Sequence, residues 1–234
     1  MCAHTLPIPE FTCFLVTMDQ KSLQIPFLSG LHKHIRLHEV STLLDRQEKN
    51  LIDIAPWKEY ANKPEVSFKI AHDGAHIFIK YDVTESEVLA RYKHINDPVY
   101  KDSCVEFFIG FDDDKDYYNV EFNRLGTCLG RFGPERENRA EIPEDVLKTI
   151  KYERTLKQKP DADDMAINWT LTVAVPVGVF CFHRFNTFQH LNSKMNFFKC
   201  GDDLSEPHYL AWNNIISKEP DFHLPEFFGK VEFM

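Results

Sequence analysis

After Trp57 the chain alternates apolar and polar residues in short runs, the period-two pattern of strands with one buried face. Residues 66–70 and 75–83 flank the turn His72-Asp73-Gly74-Ala75, and Asp-Gly between two such runs is a strong hairpin signal. In the second run Ile77, Ile79, Tyr81 and Val83 share one face, leaving His76, Phe78, Lys80 and Asp82 on the other. Residues 105–111 repeat the pattern, with Val105, Phe107, Ile109 and Phe111 set against Glu106, Phe108 and Gly110. A polar tract, 112–116, then turns the chain into residues 117–123. Here Tyr118, Val120 and Phe122 face the core while Tyr117, Asn119, Glu121 and Asn123 line the opposite face. Further strands are predicted over 128–132, 151–155, 168–175, 209–213 and 230–233, and helix is confined to 144–150 and a turn after Pro176. Many short, evenly spaced strands with few short helices predict an all-β, antiparallel β-sandwich. Residues 31–234 read as a single domain, and residues 1–30, interrupted by Pro7, Pro9 and Pro26, as an irregular N-terminal arm.

Composition narrows the function. The net charge is -9, from 27 Lys+Arg against 36 Asp+Glu, so the surface repels phosphate backbones and nucleic acid is not expected as a partner. Twenty Phe, 8 Tyr and 3 Trp supply flat rings for a core and for ligand stacking. No basic segment followed by an apolar run opens the chain, and no stretch approaches the roughly 18 apolar residues of a membrane-crossing helix. As written the sequence reads as cytoplasmic, or as exported if it is trimmed from a longer protein. The cysteines (Cys2, Cys13, Cys104, Cys128, Cys181, Cys200) contain no C-x-x-C pair and read mainly as buried thiols.

Four segments carry a family resemblance. They are Asp97-Pro98-Val99-Tyr100-Lys101-Asp102-Ser103-Cys104-Val105-Glu106-Phe107-Phe108, then Tyr117-Tyr118-Asn119-Val120-Glu121-Phe122-Asn123 with Gly126, then Trp169 to Pro176, then Trp212-Asn213 with Phe228-Gly229. In order and spacing they resemble the family 9 carbohydrate-binding modules, including those associated with endoxylanases, over residues 50–234. A longer signature, Asn196-Phe197-Phe198-Lys199-Cys200-Gly201-Asp202, Pro207-His208 and Phe222 to Gly229, is similar to a distinct family 9-like branch common among polysaccharide-degrading bacteria. The resemblance implies a sandwich that holds a sugar, as a mono- or oligosaccharide or a chain end, between two aromatic rings. Tyr100, a Tyr where better-known members carry Trp, and Trp212 match those rings. Glu106 matches the carboxylate that accepts sugar hydroxyls, and Asn119 falls near a polar position on the next strand. No cofactor is required, and structural calcium is implied by the family, although its ligands find no match here.

Sugar recognition needs a flat apolar plate and rigid polar groups around its edge. Tyr100 and Trp212 would be the plates, and Glu106, Asn119, Glu121, Asn123 and Arg91 the edge groups; the alternative is that Asn119, Glu121 and Asn123 are the solvated face of an ordinary sheet. Trp212 fits a core position as well as a plate, and Arg91 a surface salt bridge. A second polar cluster, Lys199, Asp202, His208 and His223 with Glu226, either pins turns or lines a site. Asp112, Asp114 and Asp116 mimic the start of a calcium loop but lack its Gly and its Glu, so they read as a hairpin tip. Two further functions stay open. Glu106 with Glu121 or Glu226 could form the carboxylate pair of a glycoside hydrolase, about 5–10 Å apart. The same face could instead serve a non-sugar interaction module.

Overall fold

Each inward-facing strand position predicted from the alternation is closed off from solvent by a partner sheet. The computed structural model of the chain describes residues 20–31, 35–60, 62–112, 114–158 and 166–234. Its strands are β1 (Ser22–Ile25), β2 (Asn50–Leu51), β3 (Glu65–His72), β4 (His76–Glu85), β5 (Cys104–Phe111), β6 (Tyr117–Asn123) and β7 (Cys128–Gly133). They continue with β8 (Ala140–Glu141), β9 (Lys151–Gln158), β10 (Ile167–Pro176), β11 (Asn192–Cys200), β12 (Tyr209–Ala211) and β13 (Gly229–Phe233). The larger sheet has the order β1-β13-β11-β5-β6-β7-β8, with β12 also paired to β11, and the smaller one the order β2-β3-β4-β10-β9. Only β1 and β13 pair in parallel; the other named pairs are antiparallel. The chain is thus an all-β sandwich, with two short α-helices among the described residues, α1 (Leu37–Leu44) and α2 (Glu144–Leu147).

The inter-sheet core takes Ile77, Ile79, Tyr81 and Val83 from β4 and Val105, Phe107, Ile109 and Phe111 from β5, the faces that the alternation assigns to it. Phe68 of β3 stacks on Phe197 of β11 with ring centroids 3.8 Å apart, joining the two sheets at the centre. At the β3–β4 hairpin the Asp73 carboxylate accepts the amides of Ala75 and His76, at 2.9 and 2.7 Å. Gly74 takes the positive φ, +86°, that the turn requires.

Four features differ from the sequence reading. Ser22–Ile25, assigned to the irregular arm, form β1, because Leu23 and Ile25 alternate into the core beside β13; residues 1–19 of that arm lie outside the described residues. The central strand β11 and helix α1 are unpredicted. α1 lays Val40 and Leu44 on Ala71, Phe78 and Ala174, covering the outer face of the smaller sheet. The helix expected over 144–150 ends at Leu147, and a 3-10 turn, Val177–Val179, follows Pro176 as expected.

The outer face of the larger sheet is not solvated either. Glu106, Asn119, Glu121 and Asn123 are all buried. Connecting segments roof that face, with Trp57, Val99, Ile215, Phe222 and Phe228 packed against Phe108, Tyr117 and Phe198.

Candidate functional site

The roof is incomplete, and the gap exposes a floor of paired polar residues. Glu106 of β5 stands directly opposite Glu121 of β6, Asn119 of β6 opposite Arg131 of β7, and Cys104 of β5 opposite Cys200 of β11. The pleat sends all these side chains to the same outer face. The 3-10 turn Val99–Lys101 raises Tyr100 as one wall, the segment leaving β11 supplies Asp202, and β12 supplies Tyr209. The amide of Asp202 donates to the Tyr100 carbonyl at 3.2 Å, holding these two walls together. Segments 136–139 and 220–223 complete a cavity of about 630 Å³, within the usual range for small-ligand sites.

Arg139 organises one side. It lies over the Tyr117 ring, 4.2 Å from its centroid, and donates to the carbonyls of Tyr117, Gly133 and Glu135 at 2.7–2.9 Å. Its Nε donates to Asn119 Oδ1 at 2.9 Å, which aims Asn119 Nδ2 at Glu121 Oε1, 2.7 Å away. With its donors engaged, Arg139 positions the floor. The other Glu121 oxygen, Oε2, is buried and has no hydrogen-bond partner among the described residues. Burial, and for Glu106 the charge of Glu121, pushes both carboxyls above the ordinary range. The pair therefore retains a proton near neutral pH and offers a ligand both a donor and acceptors. Burial also raises Asp202. His223, paired with the Tyr117 hydroxyl at 2.9 Å, is pushed down to about 3 by burial and then by Arg139, so it stays neutral.

Of the residues singled out in the sequence, Tyr100, Glu106, Asn119, Glu121, Asp202 and His223 line this one cavity. The others do not. Trp212 is 2% exposed and sits between the sheets, edge-on to Phe68 and Phe197. In the run 209–212 the strand period sends Leu210 and Trp212 inward and Ala211 outward, so Tyr209, not Trp212, shares a cavity with Tyr100. Arg91 pairs with Asp203 outside the cavity. Asn123 is consumed structurally: its amide donates to the Tyr92 carbonyl and to Asp102, and its oxygen accepts the amides of Leu125 and Thr127. Glu226 stands outside the cavity, its carbonyl accepting from Gln20. The cavity also takes Arg131, Arg136, Asn138, Cys200, Asp221 and Phe222, which the sequence reading does not single out as ligand contacts. For Tyr209 the strand alternation was an available signal; the polar loop 134–139 carries none.

Lys199 and His208 belong to a different site, on the inter-sheet side. Lys199 Nζ lies 2.9 Å from Glu85 and 2.7 Å from His208 Nε2, and Glu85 accepts from the Trp169 indole at 2.7 Å. Burial, then the Lys199 charge, pushes His208 from 6.5 down to about 3. The folded protein therefore binds fewer protons than the unfolded chain between these values, and the stability present above pH 6.5 is lost as pH falls towards 3. Urea denaturation followed from pH 7 down to about pH 4 should show a steeper loss in the wild type than in His208→Gln, whose side chain cannot take up the proton.

Calcium, implied by the family resemblance, needs six to eight oxygen ligands. Among the described residues the group of three metal-ligating side chains that converges is Cys104, Glu106 and Cys200. Two thiols and one carboxylate do not fit a hard cation. Asp114, from the hairpin tip, instead pairs with His183.

Comparison with known proteins places this architecture. A family model described as carbohydrate-binding family 9 matches residues 38–233. A crystal structure from Bacteroides uniformis, described as a candidate carbohydrate-binding protein, is 36% identical with a TM-score of 0.83, covering 92% of this chain and 100% of that one. A family 9 carbohydrate-binding module from Caldicellulosiruptor kristjanssonii shares the fold at 12% identity. Its complex with glucose gives a TM-score of 0.55 over 92% of this chain and 96% of that one. Its complex with cellotriose gives 0.57 over 91% and 93%. No curated protein matches the chain. Among the described residues no helix is long and apolar enough to cross a membrane.

Proposed function

Because the chain belongs to carbohydrate-binding family 9, we propose that the cavity over β5 and β6 binds carbohydrate, as a mono- or oligosaccharide or a chain end. The observation that carries this reading is the convergence of Tyr100 and Tyr209 with Glu106, Asn119, Glu121 and Asp202 in one cavity. The half-buried rings of Tyr100 and Tyr209 present apolar faces to the C–H face of a pyranose. The carboxyls and the amide on the floor bond its hydroxyls, and the unpartnered Glu121 Oε2 supplies an acceptor that a sugar hydroxyl would satisfy. In this reading Tyr209 takes the role that the resemblance suggested for Trp212. Holding a sugar this way requires no cofactor.

Glu106 and Glu121 also form the closest approach to a hydrolytic pair. They rise side by side from adjacent strands on one face, whereas bond cleavage needs carboxylates flanking the scissile bond. The arrangement favours holding a sugar over cutting it.

Titration calorimetry with glucose, cello-oligosaccharides and a broader glycan panel tests the proposal. Tyr100→Ala and Tyr209→Ala are each expected to weaken binding by about tenfold or more, equivalent to about 1.4 kcal/mol, with the fold retained. Glu121→Gln is expected to weaken it as well. A wild type that binds no glycan, or unchanged affinity in both tyrosine variants, would overturn it.

A further inference from the structure

Glu106 has a surrounding that sugar binding does not explain. Its carboxyl is 2% exposed, and its hydrogen-bond partner is the Cys200 thiol, 2.9 Å away. Among the described residues no cationic side chain pairs with it. A buried carboxyl without a counter-charge is costly, and here two thiols stand where a counter-ion would. Cys104 and Cys200 are directly opposed on β5 and β11, and Glu106 follows Cys104 by two residues on the same face. The Sγ atoms of both cysteines and a carboxylate oxygen of Glu106 all lie within 4.8 Å of one another. A tetrahedral ion with bonds of about 2.3 Å to sulfur and 2.0–2.2 Å to oxygen spaces its donors about 3.6 Å apart, so small side-chain adjustments bring the three onto one ion.

We propose that Cys104, Cys200 and Glu106 form a binding site for a thiophilic divalent cation of the zinc class at the cavity floor. Cys200 and Glu106 line the cavity, which provides an entry path and a fourth coordination position facing it. Three protein ligands with one open position form an ordinary zinc arrangement. Glu121, opposite Glu106 with a buried, unpartnered oxygen, stands beside that open position to accept a hydrogen bond from whatever oxygen fills it. Burial pushes the Cys104 thiol up to about 12, so without metal it is protonated. Binding forms two metal–sulfur bonds and one metal–oxygen bond, breaks both S–H bonds and the carboxyl O–H bond held by the Glu106–Glu121 pair, and releases these protons to solvent; no redox change occurs. The site shares Glu106, Glu121 and the cavity with the sugar reading, but metal binding is read with no sugar present, so failure of either leaves the other testable.

Titrating the reduced full-length chain with Co²⁺ under anaerobic conditions should produce a thiolate-to-cobalt charge-transfer absorption that saturates at one ion per chain and is displaced by Zn²⁺. Cys104→Ser and Cys200→Ser should each weaken binding at least about 100-fold, beyond the effect of losing an outer-shell partner. Cys128→Ser and a Cys2→Ser/Cys13→Ser double variant should leave it unchanged. X-ray absorption of the zinc-loaded wild type reads the site without any substitution, and two sulfur and two lighter neighbours are expected. Absence of the charge-transfer band, its persistence in a folded Cys104→Ser/Cys200→Ser variant, or a shell without sulfur would overturn the proposal.

Discussion

Replacing Lys199 with Ala is expected to destabilise the fold by about 3–5 kcal/mol, because it strands a buried carboxylate. Lys199 and Glu85 are both essentially inaccessible to solvent, and their ion pair ties β11 of one sheet to β4 of the other at 2.9 Å. Without the ammonium, Glu85 keeps one bond, from the Trp169 indole. His208 Nε2 and the carbonyl of Cys200 each lose a donor. Urea unfolding should show a lower midpoint with an unchanged slope. A Lys199→Met/Glu85→Leu variant should recover much of the loss, since removing both charges leaves neither unpaired. A midpoint that barely moves in Lys199→Ala would contradict this account of how the two sheets are locked.

Trp212 provides the second large effect, and one that separates core from site. Truncation to Ala should cost about 3–5 kcal/mol, as expected for a large buried aromatic, because the ring fills the space beside the stacked Phe68 and Phe197. Trp212→Phe should stay folded and bind sugar as the wild type does. Calorimetry on that variant decides the point: lost affinity in a folded Trp212→Phe would return Trp212 to the binding site.

The inward faces of β4, β5 and β6 were readable from alternation because each has apolar residues on one side and polar or mixed residues on the other. β11 was not, since its polar residues fall on both faces, Ser193 and Lys199 on the inner one and Asn196 on the outer. Its Ser193, Asn196 and Lys199 are buried polar residues, the last two satisfied by tertiary partners, and they erase the period-two signal. The floor of the site followed the same logic. Glu106, Asn119 and Glu121 could be placed on one face from the sequence, but whether that face was solvated or roofed depended on segments distant in the chain. Asn123 shows the limit of such reasoning: it shares their face, yet loop backbone takes up its amide. Arg136, Arg139 and Asp221 come from irregular polar loops, where a residue that walls a cavity and one that only meets water look alike in sequence.

The claim that the cavity on the outer face of the larger sheet is the carbohydrate site is tested most directly by a crystal structure of the protein with glucose or a cello-oligosaccharide. The account predicts a sugar ring between Tyr100 and Tyr209, with hydroxyls within hydrogen-bond distance of Glu106 or Glu121. A sugar bound elsewhere on the surface, or an empty cavity at saturating ligand, would contradict it.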